Sequence, residues 1–183
     1  MDVRDVDIPG LKVIQPKIFG DERGFFLETY NSQRYHQAGL PATFVQDNVS
    51  FSCRGTLRGL HFQNPCTQGK LVMVLQGEVY DVAVDVRLGS PTFGKSFAIY
   101  LSSKTKQQFW VPAGFAHGFM VTSDAALFVY KCDALYSPQN EFSLAWDDPD
   151  LGIDWPDLKP ILSAKDSNAR RLRDFPESQL PVY

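Results

Sequence analysis

Cysteine and histidine are scarce in this chain, which has three of each among 183 residues. The cysteines Cys53, Cys66 and Cys132 are odd in number and irregularly spaced, so neither a disulfide framework nor a metal-binding motif is predicted, and we expect reduced thiols. No apolar run approaches the roughly 20 residues that cross a bilayer, and the N-terminus is charged where a signal peptide has an apolar core. These absences predict a soluble, cytoplasmic protein without a membrane partner.

An excess of positive charge is also absent. The 18 Lys and Arg residues are outnumbered by 21 Asp and Glu residues, which gives a formal net charge of −3 and argues against general nucleic-acid binding. The hydrophobic content of 44% and the charged content of 21% are ordinary for a globular protein. At this length we expect one domain over residues 1–183, able to bury a core without disulfides or metals.

Short apolar runs separated by turn signals dominate the chain, at 71–75, 79–86, 97–101, 109–111 and 126–130. Within 79–86 valines recur at nearly every second position, and Asp81 and Asp85 fall on the opposite phase, which predicts a strand with one polar face. A turn every 8 to 12 residues or so is typical of a β-sandwich or barrel. We predict an all-β fold with one helix at 32–38 and an irregular, proline-punctuated segment after Trp155.

Two of the three histidines stand in glycine-containing segments, RGLHFQ at 58–63 and PAGFAHGF at 112–119. A turn next to a strand would point each ring into one end of the barrel. A histidine beside apolar residues is commonly a hydrogen-bonded core residue, so the pattern leaves both the core and the catalytic interpretation of His61 and His117 open. The second segment resembles the second motif of the cupin superfamily, which implies a small jelly-roll barrel.

Metal-binding cupins carry His-X-His followed by Glu in their first motif. This sequence has His61-Phe62-Gln63 instead, and Lys70 lies near the position of the expected acidic ligand. A zinc or iron site normally needs three or more nitrogen, oxygen or sulfur ligands, and an ammonium group beside the site would repel the cation. We therefore predict that the protein uses neither a metal ion nor another cofactor.

Over nearly its whole length the chain resembles one cupin branch, the dTDP-4-dehydrorhamnose 3,5-epimerases. The matching segments occur in the family's order, at 20–28, 44–48, 57–63, 68–72, 77–87, 112–119, Tyr130, Tyr136, 146–149, 153–156 and 162–166. One such segment is weak evidence, whereas the complete ordered set is very specific. The resemblance implies a cupin-type jelly-roll β-barrel with a few short helices and an irregular C-terminal wrap. It also implies a substrate, a dTDP-linked 4-keto-6-deoxyhexose that is epimerised at carbons 3 and 5.

The resemblance assigns roles in proton transfer to His61, Asp166 and Tyr130. His61 is the base, an imidazole that titrates near working pH, and Asp166 fixes its tautomer as in hydrolase triads. Lys70 supplies a positive charge for the enolate oxygen that develops at C4. Tyr130 is the proton donor. Each of these residues also has an ordinary structural interpretation, as a loop carboxylate, a strand-edge lysine or a core tyrosine.

The resemblance also implies a set of substrate contacts. Arg23 and Arg58 are expected to bind the diphosphate in a bidentate manner, and Tyr136 is expected to stack on the thymine ring. Other positions align with further contacts: Glu28, Gln46, Asp47, Asn48, Lys70, His117, Glu141 and Lys165. A homodimer is implied, in which Arg23 and Glu28 reach the partner's site.

Several alternatives stay open on the sequence alone. The enzyme could epimerise only one carbon, or act on a related deoxysugar, because such relatives keep the equivalents of His61, Lys70 and Asp166. A 3,4-ketoisomerase on the same substrate class is a second alternative. A third is a non-catalytic cupin that binds a sugar nucleotide, although binding alone does not require an acid and a base together.

Overall fold

The computed structural model describes residues 1–183 and contains thirteen strands and two α-helices. The strands are β1 (Asp2–Asp5), β2 (Lys12–Gln15), β3 (Ile18–Asp21), β4 (Gly24–Leu27), β5 (Gln46–Cys53), β6 (Leu57–Gln63), β7 (Lys70–Gln76), β8 (Glu78–Asp85), β9 (Ser96–Ser102), β10 (Gln108–Val111), β11 (Phe115–Val121), β12 (Ala125–Cys132) and β13 (Glu141–Ser143). The helices are α1 (Ser32–Gln37) and α2 (Ala164–Ser167), and three single 3₁₀ turns lie at Pro138–Asn140, Leu172–Asp174 and Glu177–Gln179.

Two antiparallel sheets form the body of the protein. The six-stranded sheet has the order β1-β2-β10-β7-β12-β5, and the five-stranded sheet has the order β13-β6-β11-β8-β9. Neighbours such as β7 and β12 are far apart in the chain, so the sheets are joined by crossovers as in a jelly roll. A separate hairpin, β3–β4, pairs only with itself and projects exposed aromatic side chains. The predicted all-β jelly roll is confirmed.

The main hydrophobic core lies between the two sheets. Val72 and Phe128 of the six-stranded sheet are in one cluster with Val79 and Phe119 of the five-stranded sheet. Side chains alternate between the two faces of a strand, so each strand contributes every second residue to this layer. Toward the ends of β5, β6, β7, β11 and β12 the inward-facing side chains become polar, and a cavity opens between the sheets there.

Chain outside the sheets covers their outer faces. The segment after β13 supplies Leu151, Leu172 and Phe175, which pack on the outer side of the five-stranded sheet. Helix α1, capped by the Asn31 side chain, buries Tyr35 against the other sheet. The predicted helix and the predicted irregular C-terminal wrap are therefore both confirmed. Both α-helices fall far short of the length that a membrane-spanning helix needs.

Strand β8 has the predicted polar phase, and both of its faces are buried. Val82 and Val84 pack under the C-terminal segment, while Asp81 and Asp85 on the other phase are 0% exposed. Burial without partners would be costly for carboxylates, but Asp85 accepts hydrogen bonds from Arg87, Ser90 and Thr92. Asp81 and Asp85 are thus interior residues. Sequence periodicity alone could not identify their hydrogen-bond partners.

Candidate active site

A cavity of about 450 Å³ lies between the two sheets at one end of the barrel. Strands β5, β7 and β12 supply one wall, strands β6, β11 and β13 supply the opposite wall, and helix α2 closes one side. Eleven of the fourteen predicted site residues line it, namely Gln46, Asn48, Arg58, His61, Lys70, His117, Tyr130, Tyr136, Glu141, Lys165 and Asp166. Residues from six strands and the C-terminal wrap therefore meet in one place.

His61 and Asp166 form a close hydrogen-bonded pair although they are 105 positions apart in the chain. The His61 Nε2 atom lies 2.6 Å from Asp166 Oδ1. Ser163 caps helix α2 by accepting from the Asp166 backbone N–H, and its hydroxyl donates to Asp166 Oδ2. Burial raises the pKa of Asp166, but the hydrogen bonds from His61 and Ser163 outweigh it and hold the pKa below its ordinary value. Asp166 is therefore an ionised acceptor, which places the proton on Nε2 and the lone pair of His61 on Nδ1.

A second carboxylate, that of Glu141, connects the base to the outer part of the cavity. Its Oε1 atom lies 3.9 Å from His61 Nδ1, and its Oε2 atom accepts from the Tyr136 hydroxyl at 2.9 Å and from the Lys165 ammonium at 2.6 Å. Burial raises the pKa of Glu141, but Lys165, Tyr136 and His61 together lower it below its ordinary value. An ordered polar network thus runs from His61 to the rim.

Lys70 and Tyr130 stand on the wall opposite His61. They lie on the adjacent strands β7 and β12, which belong to the six-stranded sheet, whereas His61 belongs to the five-stranded sheet. Burial lowers the pKa of Lys70 and raises the pKa of Tyr130, so both side chains sit in a poorly solvated part of the cavity. A substrate between the sheets would meet a base on one face and a cation and a phenol on the other.

His117 is a second histidine with a carboxylate partner. It is the cross-strand partner of His61, and its Nε2 atom lies 2.8 Å from Asp81 Oδ1. Asp81 is fully buried, its Oδ2 atom has no hydrogen-bond partner, and burial raises its pKa above the ordinary value. Asp81 does not line the cavity but binds His117, a role that the sequence analysis did not assign to it. Its position on the strand, in phase with the core residues Val79 and Ala83, is the signal that it points inward.

Two glycines bring the two histidine strands unusually close together. A Cβ atom on Gly59 would lie 2.6 Å from the Gly118 Cα atom, and one on Gly118 would lie 2.6 Å from the Arg58 carbonyl oxygen. Gly59 also has a φ of +123°, which other residues rarely adopt. The register shifts between His117 and Phe119 at this point. The glycines in the two histidine segments are therefore required by the close approach of β6 and β11.

Three predicted contacts lie outside the cavity of their own chain. Arg23, in the β3–β4 turn, is 85% exposed and paired with Asp21. Glu28 follows β4 and accepts from Arg34. Asp47 pairs with Lys131 on the outer face of the sheet, because it alternates with Gln46 and Asn48, which point inward. Within one chain, none of these three side chains is brought to the cavity.

The cavity also contains residues that the sequence analysis did not single out as contacts. Ser50 shares the inward phase of β5 with Asn48, and Gln63 and Gln68 lie on either side of the turn between β6 and β7. Alternation along β5 was sufficient to find Ser50. No group of three or more His, Cys, Asp and Glu side chains has an arrangement that could hold a metal ion, and all three cysteines are free.

Comparisons with known proteins identify the family of the chain. The family model for dTDP-4-dehydrorhamnose 3,5-epimerase matches residues 5–174. The dTDP-4-dehydrorhamnose 3,5-epimerase of Shigella flexneri is 50% identical over 176 residues, which cover 95% of this chain and 97% of the relative.

Two solved structures are informative. The dTDP-6-deoxy-D-glucose-3,5-epimerase RmlC from Legionella pneumophila, in complex with dTDP-4-keto-L-rhamnose, superimposes with a TM-score of 0.97 at 53% identity, covering 100% of this chain and 98% of that one. The 3'-monoepimerase ChmJ from Streptomyces bikiniensis, in complex with dTDP-quinovose, gives a TM-score of 0.90 at 37% identity, covering 97% and 92%.

Proposed function

Because the chain belongs to the dTDP-4-dehydrorhamnose 3,5-epimerase family, we propose that it converts dTDP-4-dehydro-6-deoxy-D-glucose to dTDP-4-dehydro-L-rhamnose. The observation that carries this proposal is the placement of the His61–Asp166 pair on one wall of the cavity and of Lys70 and Tyr130 on the other. Epimerisation next to a ketone needs a base, a group that stabilises the enolate, and an acid on the opposite face. We assign these three tasks to His61, Lys70 and Tyr130, in that order.

The first step is removal of the proton from C3 or C5 by His61 Nδ1. Asp166 accepts from Nε2–H, so it keeps the lone pair on Nδ1 and stabilises the imidazolium that forms. The electron pair of the broken C–H bond moves into the C–C bond next to the ketone, and the C4 oxygen becomes an enolate. Lys70 lies in a poorly solvated wall, where a cation stabilises a developing oxyanion far better than it would in water.

The second step returns a proton to the same carbon from the opposite side. Tyr130 is the donor, because it lies on the sheet that faces His61. A phenol is a weak acid, but an enolate carbon is basic enough to take its proton. The resulting phenolate and the imidazolium return to their starting states by exchanging protons with solvent. The cycle is redox-neutral and consumes no co-reactant.

The nucleotide occupies the outer part of the cavity. Arg58 donates through Nε to Ser52, which orients the guanidinium while its terminal nitrogens remain available for the diphosphate. Tyr136, which is about half exposed at the rim, offers an aromatic face for the thymine ring. Gln46, Asn48, His117, Glu141 and Lys165 complete the proposed binding surface.

A homodimer would explain the positions of Arg23 and Glu28. The β3–β4 hairpin carries the exposed Phe19, Phe25 and Phe26, and the outer face of the six-stranded sheet exposes Val49, Phe51 and Leu75. Two apolar surfaces of this kind on one chain favour association with a second copy. In that assembly the hairpin brings Arg23 and Glu28 to the partner's cavity.

Mixing two inactive variants tests this arrangement. A mixed dimer of Arg23→Ala and His61→Ala chains holds one intact site, made from His61 of one chain and Arg23 of the other. Subunit exchange at equal concentrations should therefore recover about a quarter of the wild-type activity, since half of the dimers are mixed and each has one intact site of two. The control is the double variant, which carries Arg23→Ala and His61→Ala on the same chain. Its dimers contain no intact site and should stay inactive. No recovery, or a monomer by sedimentation, would contradict the proposal.

Product analysis tests the proposed reaction. Incubation of the purified protein with dTDP-4-dehydro-6-deoxy-D-glucose should yield the L-rhamno product, identified by NMR coupling constants around the ring. A product inverted at C3 alone would indicate the second candidate, a monoepimerase. We consider this candidate because the chain is similar to the 3'-monoepimerase ChmJ. A 3-keto product would indicate a ketoisomerase. Unchanged substrate together with tight dTDP binding would indicate a non-catalytic binding protein.

A further inference from the structure

Three glutamine side chains hold the loop that carries Tyr136, and we call Gln46, Gln63 and Gln68 the glutamine cradle. Gln68 Nε2 donates to the Ala134 carbonyl at 2.6 Å, and Gln46 Oε1 accepts from the Tyr136 N–H at 2.8 Å. Gln63 Oε1 accepts from the Ser137 N–H at 2.9 Å, and its Nε2 donates to the Leu135 carbonyl at 3.4 Å. Each residue of the segment 134–137 thus has one backbone group bound to the cradle.

The cradle is built from the walls of the cavity rather than from the loop itself. Gln46 is on β5, Gln63 ends β6, and Gln68 lies just before β7. Gln63 and Gln68 are only 4% and 7% exposed, although glutamine is mostly a surface residue. Gln63 Nε2 also donates to the Cys66 carbonyl at 2.7 Å, so one amide joins the β6–β7 turn to the loop.

The loop has little else to fix its position. Leu135 and Tyr136 are 67% and 50% exposed, so no buried apolar side chain anchors this part of the chain. Other hydrogen bonds hold the two ends of the loop, where Asp133 pairs with Gly69 and Ser137 accepts from Asn140, and the Tyr136 hydroxyl donates to Glu141. Between these two ends, hydrogen bonds from the cradle fix the backbone from which the Tyr136 ring projects.

We propose that Gln63 and Gln68 are positioning residues that preorganise the Tyr136 ring as the platform for the nucleobase. The inference rests on the proposed function, in which Tyr136 contacts the base of the sugar nucleotide. Preorganisation improves affinity by reducing the ordering that binding requires. The cradle then controls nucleotide affinity and leaves proton transfer at His61 unchanged, because neither side-chain amide is hydrogen-bonded to His61, Asp166, Lys70 or Tyr130. Lys70 Nζ donates to the main-chain carbonyl of Gln68 at 3.4 Å, a group that a side-chain substitution keeps.

The variants Gln63→Met and Gln68→Met remove the amide and keep the length of the side chain. We expect each to weaken dTDP binding, measured by calorimetry, and to raise KM by about tenfold, with kcat within about twofold of wild type. Gln37→Met makes the same change at an exposed position of α1 and should have no effect. Gln63→Glu keeps the acceptor for Ser137 but loses both donated hydrogen bonds, so its affinity should lie between wild type and Gln63→Met.

A double-mutant cycle separates positioning from a general structural role. In a Tyr136→Ala background the methionine substitutions should change dTDP affinity by less than about twofold, because no ring remains to be positioned. An equal loss in both backgrounds, unchanged affinity in the single variants, or a fall in kcat at constant KM would overturn the inference. If a methionine variant fails to fold, Gln63→Glu provides the same comparison. Failure of the wild-type protein to bind dTDP would instead refute the proposed function.

Discussion

Replacement of His61 by alanine is expected to lower the rate of hydrogen exchange at the reacting sugar carbons by about 10³- to 10⁴-fold. The reason is that the buried Asp166 carboxylate binds Nε2 of His61, which leaves the lone pair on Nδ1 available to take the substrate proton. Glu141 is the nearest other base, but its Oε2 atom is occupied by Tyr136 and Lys165. Removal of the imidazole leaves a space in the wall without disturbing the core between the sheets.

Binding of the nucleotide should survive this substitution. Arg58, Tyr136 and Lys165 lie toward the rim, so the dissociation constant of dTDP should stay within about threefold of the wild-type value. His36→Ala is the matched control, because His36 is exposed on α1. The measurement is deuterium uptake into the 4-keto sugar nucleotide, followed by mass spectrometry. Exchange at the wild-type rate in His61→Ala would refute the assignment of the base.

Asp166→Asn is the second substitution with a large expected effect, a loss of about 10²- to 10³-fold in the same assay. The asparagine amide can donate to His61 Nε2, which the carboxylate cannot do at neutral pH. The imidazole would then carry its proton on Nδ1, the atom that must accept the substrate proton. The shape of the site stays nearly unchanged, so the loss reflects the wrong tautomer and the missing charge rather than a repacked wall.

The pH dependence of Asp166→Asn provides a further check. The pKa of Asp166 is lowered in the folded protein, so the carboxylate contributes stability above its unfolded pKa, and this contribution is lost as the pH falls through the folded pKa. Asp166→Asn should therefore be less stable than wild type at neutral pH, and the difference should shrink in acid. Asp150→Asn, at an exposed carboxylate, is the control. If Asp166→Asn exchanges hydrogen at more than a tenth of the wild-type rate, the proposed role of Asp166 in orienting His61 is contradicted.

Much of the fold could be predicted because its signals are local. Alternating apolar runs separated by turns predicted β7 to β10 and β12, and the stretch 32–38 predicted α1. The family resemblance is confirmed by the family model and by relatives at about half identity. The His61–Asp166 pair came from that resemblance alone, because no local pattern connects residues that are separated by the whole barrel.

The remaining features depend on tertiary contacts that leave no local trace. The phase of Asp81 along β8 indicates an inward side chain, but nothing in the sequence identifies His117 as its partner. Gln63 and Gln68 resemble ordinary strand-end residues, yet they are buried because they bind the loop at 134–137. Arg23 is exposed on its own chain, and the proposed homodimer is the arrangement in which it would contact a substrate.

Deuterium incorporation at the individual carbons C3 and C5 tests the central claim most directly. The wild-type protein is incubated with dTDP-4-dehydro-6-deoxy-D-glucose in D₂O, and each position is read by NMR. Because one base faces one acid across the cavity, the proposed mechanism predicts label at both carbons, each with inverted configuration. Label at one carbon only would contradict the double epimerisation, and the absence of label at both would contradict proton abstraction by His61 altogether.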